Sequence, residues 1–113
     1  MNDDTPIHSE KIGSANVLSP KGDVDLSRSP ALRNALRQAQ AAKPTKLVVD
    51  LAGVEYMDSS GVATLVEALQ IARKNNTKIV LCDLKDKVRS IFEIARLDTV
   101  FTIVNSRDDA LKV

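Results

Sequence analysis

Two neighbouring serines, Ser59 and Ser60, stand between Asp58 and Gly61 in the run YMDSSGVATL, residues 56 to 65. The run lies where an extended apolar pattern gives way to a helical one, so these side chains fall at a helix N-terminus. Capping is one chemistry that suits the place: a side-chain oxygen accepts a hydrogen bond from one of the helix's first N–H groups. One oxygen is enough for that, and the reading gives it mainly to Ser59, with Asp58 as the competing acceptor. A second hydroxyl is then left at the positive end of the helix dipole, where a phosphate is tolerated. Gly61 fits the capping account poorly, since glycine in a helix costs roughly 0.8–1 kcal/mol against alanine. It makes sense where another surface must approach the backbone. From the residues alone, a plain helix start and a functional hydroxyl both stay open.

A second loop, KGDVDLSRS at residues 21 to 29, brings Asp23 and Asp25. Other chemistry is sparse. His8 is the only histidine, and a Ser-His-Asp arrangement would have to recruit it across the fold, so it reads as surface or structural. No Cys/His spacing suits a metal, and no glycine-rich phosphate loop follows a strand. Asp50, Glu55 and Asp58 are close in sequence, but acids at strand ends and helix starts are common for dipole reasons. The residues therefore point away from an enzyme, with no cofactor and no metal.

Bulk properties narrow the class further. At 113 residues the chain suits a single domain spanning 1–113, with 1–6 as a mobile polar tail. Sixteen basic against fifteen acidic residues leave a net charge of +1, which is no footprint for direct nucleic-acid binding. One Tyr and two Phe are too few for base stacking. Cys82, inside IVLCDL, reads as a small buried hydrophobe in a reducing compartment. The N-terminus is unlike a signal peptide and no apolar run nears membrane-spanning length, so a cytoplasmic protein without membrane contact is expected.

The elements that must position these residues follow from periodicity. Leu32, Ala35, Leu36 and Ala39 form one helical face, with Ser29-Pro30 read as cap and first residue and with a stop before Pro44. Val62, Leu65, Val66 and Leu69 form a second, leaving Glu67, Gln70 and Lys74 outward. Val88, Ile91, Phe92 and Ala95 form a third. Ser106 with Asp109 makes a capping box for a short fourth helix, with Leu111 inward. Lys46 to Leu51, Lys78 to Leu81 and Phe101 to Val104 read as buried parallel strands. Ile7 to Ile12 and Ala15 to Leu18 flank Gly13-Ser14 as an antiparallel hairpin that Pro20 ends. The order β-β-α-β-α-β-α-β-α predicts an α/β fold: a mixed, mostly parallel sheet of about five strands with an N-terminal β-hairpin and about four helices. The ends of strands two and three would then bring Asp23, Asp25, Asp58, Ser59 and Ser60 to one edge.

The G-D-V-D loop (Gly22 to Asp25), the V-V-D-L and M-D-S-S-G run, the I-V-L-C strand and the later I-F, L-D and V-F pairs together resemble a STAS domain, of the anti-sigma factor antagonist type. The resemblance spans nearly the whole chain. It implies a non-enzymatic switch that binds an anti-sigma factor, itself a serine kinase of the histidine-kinase-like ATPase fold, and lets go once phosphorylated. The implied acceptor is Ser60, a metal-dependent serine phosphatase reverses the step, and the partner face comprises Asp23, Asp25, Asp58, Ser59, Ser60 and Gly61. The alternative is a non-switching STAS accessory subunit of a lipid-transport ATPase or of a stress-sensing assembly. The intact acceptor serine favours the switch. A nucleotide-binding module would rest only on Asp-rich loops beside helix starts.

Overall fold

Short β-branched runs alternate with amphipathic segments, and the computed structural model, which describes residues 7 to 113, pairs the runs into one five-stranded sheet. The expected mobile tail, residues 1 to 6, lies outside the described residues. The strands are β1 (His8–Ile12), β2 (Ala15–Ser19), β3 (Lys46–Asp50), β4 (Lys78–Cys82) and β5 (Thr102–Val104). The helices are α1 (Ser29–Ala41), α2 (Ser59–Lys74), α3 (Asp86–Ile94) and α4 (Arg107–Lys112), with a 3-10 turn at Leu97–Thr99. The spatial order is β1-β2-β3-β4-β5. β1 runs antiparallel to β2 and every other pairing is parallel, as the hairpin and the βα alternation predict.

The central strands are apolar on both faces, and the sheet is covered on both. Leu18, Leu47, Val49, Ile79 and Leu81 face the main core with α1, α2 and α3. Val17, Val48, Val80 and Cys82 face the other way, onto Ala110 of α4. This two-sided burial explains why the strands read as continuous apolar runs rather than alternating ones. Phe92 of α3 meets Phe101 edge to face, with ring centroids 5.6 Å apart. Buried polar side chains have local tasks. Asn16 Nδ2 donates to the Ala39 carbonyl, Gln40 Nε2 to that of Ala68, and Thr77 Oγ1 to that of Pro44.

α1 buries the face that the periodicity predicts, and the other helices depart from their periodic faces in part. On α2, Leu65 and Leu69 are buried, but Val62 and Val66 only partly, while Thr64, Ala68 and Ala72 are fully inside. Thr64 and Ala68 lie beside Leu36 and Gln40 of α1, and the Ala68 carbonyl accepts the Gln40 side chain. Glu67, read as outward, bridges the two helices through Arg33 (Nε–Oε1 2.8 Å) and Arg37. On α3, Ala95 is an exposed C-cap rather than a core residue. On α4, Ala110 takes the buried place against Val17, Val48 and Val80 and Leu111 is half-buried beside it, while Lys46 Nζ donates to both their carbonyls at 3.0 Å and holds the short helix by its end. Ser106 caps α4 as its sequence predicts, its Oγ accepting the Asp109 N–H at 3.1 Å.

Candidate functional site

Beyond the carboxyl edge of the sheet, the chains leaving β2 and β3 remain paired. Lys21 lies opposite Gly53, and Val24 opposite Met57, in parallel bridges. The Gly22 N–H donates to the Gly53 carbonyl at 2.8 Å. Gly22 has φ 85, a left-handed turn that favours glycine. The Val24 N–H donates to the Tyr56 carbonyl (2.9 Å), and the Val24 carbonyl accepts the Asp58 N–H (3.1 Å). The two loops singled out in the sequence are thus one structure. Asp23 and Asp25 flank Val24, and Asp58, Ser59 and Ser60 follow Met57 directly, so the residues expected at one edge are brought together.

The cap belongs to Asp58, not to Ser59. Asp58 Oδ1 accepts the N–H of Ser60 (2.9 Å) and of Gly61 (3.3 Å), and the Ser60 hydroxyl donates to the same oxygen at 2.6 Å. The Asp58 N–H is pinned to Val24, which fixes that residue in the extended conformation a cap requires and starts α2 at Ser59. Ser59 is exposed, and no capping bond reaches its side chain. The Ser60 hydroxyl, with help from the backbone N–H groups of Gly61, Ser60 and Leu26, holds the Asp58 carboxyl below the usual carboxylate range. A group lowered in this way contributes stability above its ordinary pKa, about 4, and loses it as pH falls further. An Asp58→Ala variant should melt about 4–8 °C lower than wild type by thermal circular dichroism, and Ser59→Ala within about 1 °C of it.

The Asp25 loop repeats the device. Asp25 Oδ1 accepts the Ser27 hydroxyl (2.8 Å), the Ser27 N–H (3.1 Å) and the Arg28 N–H (3.2 Å), and the Ser27 hydroxyl leads the groups that lower its pKa. Its carbonyl accepts the Arg28 and Ser29 N–H groups. Ser29 is therefore a buried first-turn residue and not the cap of α1, whose capping position is Arg28. Pro30 shifts by one place accordingly. The surface that comes close to Gly61 is the chain's own. A Cβ added there would lie 2.7 Å from Met57 Cγ, 2.8 Å from Val24 Cγ1 and 2.9 Å from the Val24 carbonyl oxygen. Gly61 is what lets the Val24 loop lie against α2.

The remaining acids have separate tasks. Glu55 pairs loosely with Lys85, 3.6 Å away. Asp50 receives Arg107 Nε at 3.1 Å, and the same guanidinium reaches Ser19 Oγ (2.8 Å) and Glu10 (3.3 Å), tying α4 to three strands. Nothing in residue spacing announces this network, because its members are scattered over the whole chain. His8, on the edge strand, lies 3.6 Å from Glu10. Donor atoms of Asp50, Cys82 and Asp83 lie within 4.8 Å of one another, but the Arg107 guanidinium already supplies positive charge to that cluster. Burial, reinforced by the charges of Asp50 and Asp83, pushes the Cys82 thiol up to about 12. Cys82 should accordingly resist a thiol reagent at pH 8 in the native protein and react fully in denaturant, as a colorimetric thiol count would read.

An open depression of about 490 Å³ adjoins the serines, between the first turns of α2 and the face of α3. Tyr56, Val62, Ala63, Ile91 and Ala95 line it, and Asp58 and Ser59 form its rim. Leu26 (76% exposed) and Ile94 (83%) add to the uncovered apolar surface. Among the described residues no helix is long and apolar enough to cross a membrane.

This arrangement has relatives. An anti-sigma-B factor antagonist of Listeria monocytogenes is 33% identical over 84 residues, covering 74% of each chain. An anti-sigma-F factor antagonist of Mycobacterium tuberculosis is 30% identical over 95 residues, or 84% of this chain and 77% of that one. The crystal structure of an anti-sigma factor antagonist from Mycobacterium paratuberculosis superposes with a TM-score of 0.89 at 27% identity, over 98% of this chain and 95% of the other. Residues 6 to 110 match the STAS domain, and with the sheet order and the joined loops described above this places the chain in the STAS domain family.

Proposed function

We propose that this protein is an anti-sigma factor antagonist working as a phosphorylation-controlled binding switch. Unphosphorylated, it binds an anti-sigma factor that is also a serine kinase of the histidine-kinase-like ATPase fold, and so frees that protein's other partner. Phosphorylation of Ser60 breaks the complex, and a metal-dependent serine phosphatase restores it. The observation that carries the reading is the Ser60 hydroxyl: half-buried on the first turn of α2, beside the Asp23–Asp25 loop and the rim of an apolar depression. Asp23, Asp25, Asp58, Ser59 and Ser60 form the partner face, with Gly61 beneath it closing the loop onto the helix. The protein acts by binding, and the phosphoryl chemistry belongs to its partners.

A phosphate adds about −1.5 to −2 charges at neutral pH. At a helix N-terminus the fold tolerates that charge, while an interface built around a neutral hydroxyl does not. The test is to incubate the protein with the histidine-kinase-like serine kinase of its own genome and MgATP, then map the product by mass spectrometry. One phosphate on Ser60, and none on a Ser60→Ala variant, is the expected result. Phosphate on Ser59 with Ser60 bare, or none at all, would overturn the reading.

A further inference from the structure

We infer that Asp58 is the positioning residue for phosphoryl transfer to Ser60 and the residue that selects Ser60 over Ser59. The inference rests on the switch reading above and adds to it a task for a side chain that otherwise only caps a helix. Three donors converge on Asp58 Oδ1: the Ser60 hydroxyl at 2.6 Å and the N–H groups of Ser60 and Gly61. The residue is fixed from behind as well. Its N–H is bonded to the Val24 carbonyl, and its carbonyl accepts the Val62 N–H at 3.1 Å. A carboxylate held at so many points has one orientation, and the hydroxyl that donates to it has one rotamer.

That rotamer matters for the reaction. In the transfer an O–P bond forms at Ser60 Oγ, the bond from the γ-phosphorus to ADP breaks, and the hydroxyl proton gives up its hydrogen bond to Asp58 as the O–P bond forms and passes to a general base of the kinase. With its hydrogen committed to Asp58, Ser60 Oγ keeps its lone pairs turned away from the carboxylate, towards an incoming γ-phosphoryl group. Asp58 orients the proton rather than keeping it, because the Ser60 and Gly61 N–H groups go on favouring its charged form when the hydroxyl bond is released. The hydroxyl of Ser59, the more exposed serine, has no side-chain anchor of this kind among the described residues. Exposure alone would favour Ser59, whereas preorganisation favours Ser60. After transfer the phosphoserine oxygen has no hydrogen to donate, so the product must swing away from Asp58, and the site that orients the substrate does not hold the product.

Two substitutions separate positioning from capping. Serine and asparagine both cap helices well, so Asp58→Ser and Asp58→Asn should melt close to wild type. Asparagine also keeps a planar oxygen that can accept the Ser60 hydroxyl, while the shorter serine does not reproduce that acceptor. With the histidine-kinase-like serine kinase of the same genome and MgATP, Asp58→Ser should lose about tenfold or more in kcat at Ser60 with KM little changed. Phosphate should begin to appear on Ser59, and Asp58→Asn should recover most of the rate. A measurement without kinase accompanies it: the Asp58 carboxyl, followed by carbon-13 NMR, should titrate higher in Ser60→Ala than in wild type. Wild-type kcat at Ser60 in an Asp58→Ser protein that melts normally would overturn the inference and leave the switch standing. No phosphate on wild-type Ser60 would instead remove the switch reading, and this inference with it.

Discussion

A Ser60→Asp variant should fold like wild type and bind the anti-sigma factor about a hundredfold more weakly. The fold is indifferent because two small effects oppose each other. A negative charge in the first turn of a helix gains roughly 0.3–1 kcal/mol from the dipole, while the carboxylate of Asp58, bonded to the Ser60 hydroxyl in the native protein, repels it. Binding is not indifferent. A unit charge placed about 5 Å from a like charge of the partner, at an effective dielectric near 20, costs roughly 3 kcal/mol. A hundredfold loss needs only about 2.7 kcal/mol. Ser60→Ala should bind as wild type does, and Ser60→Asn, similar in size to aspartate but neutral, should fall much nearer to alanine. Titration calorimetry in low and high salt would read the series, with the aspartate defect shrinking as salt screens it. Aspartate binding within about threefold of alanine would mean that charge at Ser60 is not what breaks the complex.

Leu65→Ala should be the most damaging change in α2, costing about 2–5 kcal/mol. Leu65 is fully buried between the sheet and the neighbouring helices, and the loss is a large share of the 5–15 kcal/mol that typically separates folded from unfolded. Val66, half-buried at the edge of the same cluster, should cost about 1 kcal/mol or less as Val66→Ala. Urea unfolding of both variants checks the helix phase directly. Equal losses would rotate α2 from the orientation described, and with it the face on which Ser60 lies.

Much of this was legible in the sequence. The β-branched runs, the Gly13-Ser14 turn, the stop at Pro20 and the Ser106 cap are local signals, and each falls where it predicts, although only the Ser106 half of the expected capping box forms. The joining of the Asp25 and Asp58 loops was legible too, because both leave strands expected to be parallel neighbours. What escaped depends on contacts between distant residues. Asp58, Ser59 and Ser60 are all chemically able to cap, and the choice among them is made by Val24, which holds Asp58 by its backbone. Asp25 captures the start of α1 by the same logic, displacing Ser29 inward. Thr64, Ala68 and Ala72 are too small or too polar to register in an apolar count, yet they are among the most deeply buried residues of α2. The reach of Arg107 to Glu10, Ser19 and Asp50 has no sequence signature, since scattered charges resemble any solvated surface.

The insertion of the Val24 backbone between Tyr56 and Asp58 has a temporal meaning as well as a geometric one. The segment that positions Asp58 leaves the ribosome well before the serines do, and the hydroxyl at Ser60 acquires its fixed presentation only when the β2–β3 pairing has closed across α1. In an unfolded or half-made chain the letters DSSG are an ordinary flexible peptide. Under the proposed switch, a kinase that recognises the closed loop pair would act only on chains that have completed this folding step. On that reading, damaged or truncated copies would be passed over and remain unmodified.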